Sequence, residues 1–191
     1  MIITILAEPR SGSTTLGNWF YYQSKFTTLF EPISSPTLKW YKNGECPTKW
    51  TYSTKHLCVK ETYRQNVDYS KLLSISDKVI ILYRENDVEQ LASLNNARTS
   101  GMWHSPWKYN PNEKIDNPHI INDFNEIKMG MQSHYINNPN YFTTTYENLY
   151  NRGKFDELLN YIDIRNDLTD TKFPIGSKYA HNITLLQKVL I

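Results

Sequence analysis

The stretch Ile2-Ile3-Thr4-Ile5-Leu6-Ala7-Glu8-Pro9-Arg10-Ser11-Gly12-Ser13-Thr14-Thr15-Leu16 decides how this chain folds. Its opening run, IITILA, has the length and character of a buried strand, and Leu16, Trp19 and Phe20 then mark a helix. A strand, a short turn and a helix form the arrangement in which backbone N–H groups at a helix start face an anion. Gly12 lets the backbone approach closely, Ser11, Ser13, Thr14 and Thr15 add hydroxyl donors, and Arg10 carries a planar fork suited to phosphate or sulfate oxygens. A triphosphatase loop of the form GxxxxGK[ST] would need a lysine just before its final hydroxyl residue, and only serine and threonine follow Gly12, which argues strongly against it. On these residues alone, a serine-rich turn that merely caps the helix is the competing reading.

Composition limits what the anion site can belong to. One domain spanning residues 1–191 is expected, long enough to bury roughly 70% of the unfolded chain's surface. A formal net charge of +2 leaves no global field to attract nucleic acid or an anionic membrane, so any anion site is local. Cys46 and Cys58 cannot make a disulfide framework, and no Cys or His cluster has zinc-ligand spacing. A reducing, cytoplasmic setting without a metal is the expectation. The apolar run before Glu8 is too short for a membrane span and lacks the basic lead-in of a signal peptide. Asn182-Ile183-Thr184 matches a glycosylation acceptor, which without export is a chance match.

Short apolar runs alternate with helical patterns along the chain, the rhythm of a parallel sheet. Strands are expected at Ile2 to Leu6, Thr27 to Phe30, Leu57 to Lys60, Val79 to Tyr83 and Tyr141 to Thr145. The fourth, VIILY, is apolar throughout, as a strand covered on both faces should be. Further helices are marked by Val88, Leu91 and Ala92, by Ile120, Phe124, Ile127 and Met131, and by Phe155, Leu158, Leu159 and Ile162. A last one is expected near Ile183, Leu186, Val189 and Leu190. Ser34 to Thr54 and Ser100 to Pro118 fit neither period, and long irregular segments of this kind are commonly functional.

A second strand-to-helix junction reads YRENDVEQLASL. Asn86 and Glu89 form a capping box, so a helix begins just after Arg84, which closes VIILY. Ligands gather at the carboxyl edge of a parallel sheet, so Arg84 is aimed at the same rim as the opening loop. Ser93, two turns into the helix, reaches the same ligand if the helix runs alongside it. The alternative is an ion pair of Arg84 with Glu85 or Glu89 at the surface, with Ser93 inert.

Together the two junctions carry a family resemblance. EPRSGSTTL resembles the phosphosulfate-binding loop of the sulfotransferases, commonly PRSGST or PKSGTT, and YRENDVEQLASLNNA resembles their 3'-phosphate motif. Many members place the arginine and serine of that motif eight positions apart, whereas Arg84 and Ser93 are nine apart. The longer spacing resembles bacterial carbohydrate sulfotransferases of the trehalose and nodulation-factor type, whose segments read R-x-N-x-x-x-Q-x-x-S-L and continue to T-G-x-W. Here Arg98-Thr99-Ser100-Gly101-Met102-Trp103 has one extra residue. FEP (Phe30 to Pro32), VKE (Val59 to Glu61), YENL (Tyr146 to Leu149) and the basic segment SKYAHNI extend the likeness over nearly the whole chain.

The resemblance implies a three-layer, P-loop-like α/β fold with about five parallel strands. It also implies transfer of a sulfuryl group from 3'-phosphoadenosine 5'-phosphosulfate (PAPS) to a hydroxyl acceptor, leaving adenosine 3',5'-bisphosphate (PAP). Arg10, Ser11, Gly12, Ser13, Thr14 and Thr15 would hold the 5'-phosphosulfate, and Arg84 and Ser93 the 3'-phosphate. Such a transfer passes through a loose in-line transition state, so positioning and hydrogen-bond donors suffice without metal. Glu31 is the first candidate for general base, because the resemblance places a catalytic glutamate after the second strand. Glu61 and His104 are its rivals, and Lys60 is placed to stabilise the bridging oxygen. Among the aromatic residues, Trp103, Trp107 and Tyr109 are placed to stack on adenine or a sugar ring, or to cover the core. Carbohydrate is the favoured acceptor, with lipid, peptide tyrosine and small alcohols open. A P-loop kinase and a noncatalytic binder of PAP are the alternative functions.

Overall fold

The computed structural model describes residues 1–34, 54–101, 103, 115 and 117–169. Its strands are β1 (Ile2–Ala7), β2 (Phe26–Phe30), β3 (His56–Thr62), β4 (Lys78–Tyr83) and β5 (Phe142–Thr145). They form one all-parallel sheet in the order β2-β3-β1-β4-β5. Helices α1 (Ser13–Tyr21), α2 (Ser70–Ser74), α3 (Asp87–Ser100), α4 (Pro118–Met131) and α5 (Phe155–Ile162) flank it, giving an α/β fold of the P-loop-like kind. All five expected strands are present to within a residue or two, as are the helices after β1, after β4, before β5 and at residue 155. The short α2, a single turn or so, carried no readable period. His104, Trp107, Tyr109, Cys46, the expected C-terminal helix and SKYAHNI lie outside the described residues.

Burial explains the strand order. β1, β3 and β4 are buried on both faces and occupy the centre, whereas FTTLF of β2 and FTTT of β5 take the edges, where threonine tolerates partial exposure. On one face Ile3, Ile5, Cys58, Ile80 and Leu82 pack under α1 and α5, meeting Leu16, Phe20, Leu158 and Ile162. On the other, Leu6, Val79 and Ile81 meet Tyr69, Leu73 and Met131, while Leu57 and Val59 meet Ile33 and Leu72. Gly17 lets α1 lie close to the sheet, since a Cβ there would stand 2.7 Å from the Phe30 ring. Cys58 is a free, buried thiol whose pKa burial pushes up. No helix among the described residues is long and apolar enough to cross a membrane.

Because the sheet is all parallel, the ends of β1, β2, β3 and β4 share one rim. Glu8, Glu31, Tyr63 and Arg84 follow those ends directly. β1 lies between β3 and β4, the two directions in which the later chain winds, which puts the opening loop at the switch point where ligands of such sheets bind.

Candidate functional site

The loop after β1 is shaped by two residues in the left-handed region, Arg10 at φ 64° and Gly12 at φ 80°. Gly12 is the N-cap of α1 and no side chain caps the helix. The Gly12 carbonyl accepts the N–H groups of Thr15 (3.0 Å) and Leu16 (3.3 Å). The N–H groups of Ser13 and Thr14 lie in the first turn, where an α-helix offers no acceptor of its own. Ser11 is fully buried and its hydroxyl donates to the Glu8 carbonyl at 2.7 Å, so it closes the loop from within.

Behind the loop stand two tyrosines of YENLY, Tyr146 just before and Tyr150 within a π-helical turn at Glu147–Asn151 that follows β5. Tyr146 and Tyr150 stack with ring centroids 4.5 Å apart, and the Tyr150 hydroxyl donates to the Gly12 carbonyl at 2.6 Å. A Cβ at Gly12 would lie 2.8 Å from Tyr146 and 2.9 Å from Tyr150. The tyrosines therefore set the loop's outer contour and leave no room for a side chain at this position.

The second junction meets the first. Arg10 Nε donates to Ser93 Oγ at 2.8 Å, and another nitrogen of the same guanidinium donates to the Trp103 carbonyl. Gly101, at φ 70°, is the C-cap that ends α3. Arg84 is buried, its guanidinium 2.7 Å from Glu89, 3.5 Å from the Arg10 carbonyl and 4.5 Å from the Tyr146 ring centre. Burial, and then the neighbouring Arg84, pull the Arg10 pKa down. Two guanidiniums thus share one partly buried corner above a helix start, with Glu89 and, at 3.7 Å, Glu147 set against Arg84. The alternative pairing of Arg84 with Glu89 is also present, with Arg84 buried and the Glu89 side chain 34% exposed.

Three residues that were not singled out hold this corner. Glu8 is fully buried, and its Oε2 accepts from Gln90 Nε2 (3.0 Å), Lys128 Nζ (3.0 Å) and the Arg84 N–H (3.3 Å). Burial raises the Glu8 pKa, against the pull of Lys128 and Gln90. Gln90 also donates to the Pro9 carbonyl and Lys128 to the Arg84 carbonyl, both at 2.8 Å, so one carboxylate fastens β1, β4, α3 and α4 together. Gln90 stands at the glutamine of the R-x-N-x-x-x-Q pattern; nothing local marks Lys128, which arrives from 120 residues away.

At the end of β2, Glu31 adopts φ 51° and its carboxylate pairs with Lys60 Nζ. Thr62 Oγ1 donates to it at 2.7 Å and Arg64 lies 4.0 Å away. Burial works against its ionisation, but Lys60, Thr62 and Arg64 outweigh it and hold the carboxyl below its usual range. Glu61 points to the other face of β3. It is fully buried and accepts the N–H groups of Ile33 (2.7 Å) and Ser34 (3.1 Å), fastening the turn that carries Glu31. Burial pushes its pKa up to about 7, with the charge of Glu31 adding to the rise. Among the described residues no group of three or more His, Cys, Asp and Glu is arranged to hold a metal.

Fold and rim together define a class: an α/β protein with a P-loop-like fold, in which Arg10, Arg84 and the uncapped start of α1 meet at the carboxyl rim of the sheet. No family model and no curated protein sequence matches the chain. Among solved structures it is similar to mouse sulfotransferase SULT7A1 complexed with PAP, with a TM-score of 0.52 and 12% identity. The likeness covers 88% of this chain and 59% of that one, so the chain spans about three-fifths of that protein's length. At this identity what is shared is the fold.

Proposed function

We propose that the protein is a sulfotransferase that uses PAPS as donor. The observation that carries this is the meeting of Arg10 with Ser93, 83 positions apart, next to the buried Arg84 and the uncapped start of α1. Two distinct anionic groups on one ligand call for two such clusters at one rim. The first-turn N–H groups with Ser13, Thr14, Thr15 and Arg10 suit the 5'-phosphosulfate; Arg84 and Ser93 suit the 3'-phosphate. In the transfer, the acceptor oxygen bonds to sulfur while the bond from sulfur to the bridging phosphate oxygen breaks. Glu31 takes the acceptor's proton, and PAP and a sulfate ester are released.

Glu31 fits the base by its place at the rim and its ionised state. Lys60, paired with it, suits the bridging oxygen, where negative charge grows as the bond breaks. Glu61 acts through the turn it fastens, as a positioning residue. A carbohydrate acceptor follows from the resemblance of the two junctions to the bacterial carbohydrate enzymes.

A thermal-shift comparison tests this. PAP without magnesium should raise the melting temperature in a concentration-dependent way, since a ligand that binds only the folded state stabilises it by mass action. A shift with ATP and magnesium but none with PAP would replace the proposal with the kinase reading.

A further inference from the structure

A cleft of about 470 Å³ opens between the segment after β3 and helices α3 and α4, and Arg64 in its wall approaches Glu31 to 4.0 Å. Ser34, Gln65 and Asn66 supply neutral hydrogen-bonding groups to its wall, and Tyr63 and Ile127 supply apolar surface. Arg98 and Asp123 line it as well, but they are spent on each other at 2.7 Å. Arg64 remains. Its side chain is 47% exposed, and among the described residues its one ionic contact is the 4.0 Å approach to Glu31, too long for a hydrogen bond. A guanidinium carries five N–H donors in a fork that matches a carboxylate or a sulfate.

Resting on the sulfotransferase reading, we propose that this cleft receives the acceptor and that the acceptor is an acidic sugar, its anionic group held by Arg64. Neutral hydrogen-bonding groups mixed with an aromatic and an aliphatic side chain suit the alternating O–H and C–H surface of a sugar ring. The net charge of the lining, two arginines against one aspartate, leaves one cation for one anion. Because the same arginine stands next to Glu31, an anion on Arg64 places a neighbouring hydroxyl of that sugar at the Glu31 carboxylate. A carboxylate and an ester sulfate present the same chemistry to the fork, and the experiment separates them.

Direct binding tests this without turnover. Three disaccharides are titrated into the full chain saturated with PAP: one containing a glucuronate, its counterpart with glucose in that place, and the glucose form bearing one ester sulfate. The glucuronate form, the sulfated form or both should bind at least about tenfold more tightly than the neutral one. In Arg64→Ala that preference should vanish, with the neutral disaccharide binding as before, while Arg64→Lys should keep part of it. Equal affinity for all three, or a preference that survives Arg64→Ala, overturns the proposal. Each variant's shift with PAP reports that the fold and nucleotide site are intact. Should PAP not bind while the acidic sugar does, the cleft assignment stands and the donor assignment falls; PAP binding without any acidic preference gives the reverse.

Discussion

At the scale of single residues, the two carboxylates of the rim have opposite tasks written into their surroundings. Glu31 is surrounded by cations and a hydroxyl donor and is held ionised, whereas Glu61 is buried against backbone N–H groups. Glu31→Gln keeps the shape and one acceptor for Lys60 but cannot take a proton. Its turnover should fall on the order of 10²-fold or more, with PAP affinity near normal, as titration and steady-state rates will show. Since the Glu31 pKa is lowered, the acid limb of the rate profile assigned to it should lie below pH 4.5. Arg84→Ala should weaken PAP far more than 5'-AMP. A charged hydrogen bond of about 1.5–3 kcal/mol is lost only where the 3'-phosphate exists, which is roughly 10- to 150-fold. Equal weakening of both nucleotides would move Arg84 out of the 3' site.

At the scale of elements, the loop and α1 depend on a contact from the far end of the sheet. Gly12 needs a positive φ, and the space its Cβ would fill belongs to Tyr146 and Tyr150. An L-residue in the left-handed region costs about 1–2 kcal/mol, and overpacking adds roughly 1–3 kcal/mol. Gly12→Ala should therefore lower stability by about 2 kcal/mol or more and abolish the thermal shift with PAP, as denaturant midpoints and melting curves will show. α3 illustrates how much of an element is locally legible. Asn86 caps it as expected, accepting the Glu89 N–H at 3.1 Å, but the Asn86 backbone N–H goes to Glu147 of the β5 turn. The second half of the expected capping box is thus replaced by a tertiary bond. YENLY also differs from a simple strand end: its π-helical turn brings Tyr146 and Tyr150 onto one side, against the loop.

At the scale of the whole molecule, buried carboxyls set how stability varies with pH. Glu61 titrates near 7 in the folded chain and near 4.5 when unfolded. A raised folded pKa contributes stability that is fully present below 4.5 and lost as pH rises through 7; Glu8, also raised, acts in the same direction. The difference for Glu61 corresponds to on the order of 3 kcal/mol. Near the amino edge of the sheet, Asp167 bonds to Lys25, Lys55 and His56, and its lowered pKa, like that of Glu31, costs stability only as pH falls below its usual range. The melting temperature should therefore be higher near pH 5.5 than near pH 8, and Glu61→Gln should flatten that slope whatever its absolute stability. A slope unchanged in the variant would assign the titration elsewhere.

The order and type of the elements, apart from the short α2, were legible in the chain, because strand and helix periods are local and each central strand carries an apolar run. So were the two junctions, since a glycine and hydroxyl turn after β1 and an Asn86 cap after Arg84 are local chemistry. Alternation alone requires Lys60 and Glu61 to point to opposite faces of β3. Only the tertiary structure decided which face belongs to the site, because that depends on β2 lying beside β3 and bringing Glu31 to Lys60. The same holds for Arg10 on Ser93, for Glu8 gathering Gln90 and Lys128, and for Arg64 at the cleft. These contacts join residues 29 to 120 positions apart or lie where two helices and a loop converge, and packing of the sheet's two faces, not any local pattern, brings them together.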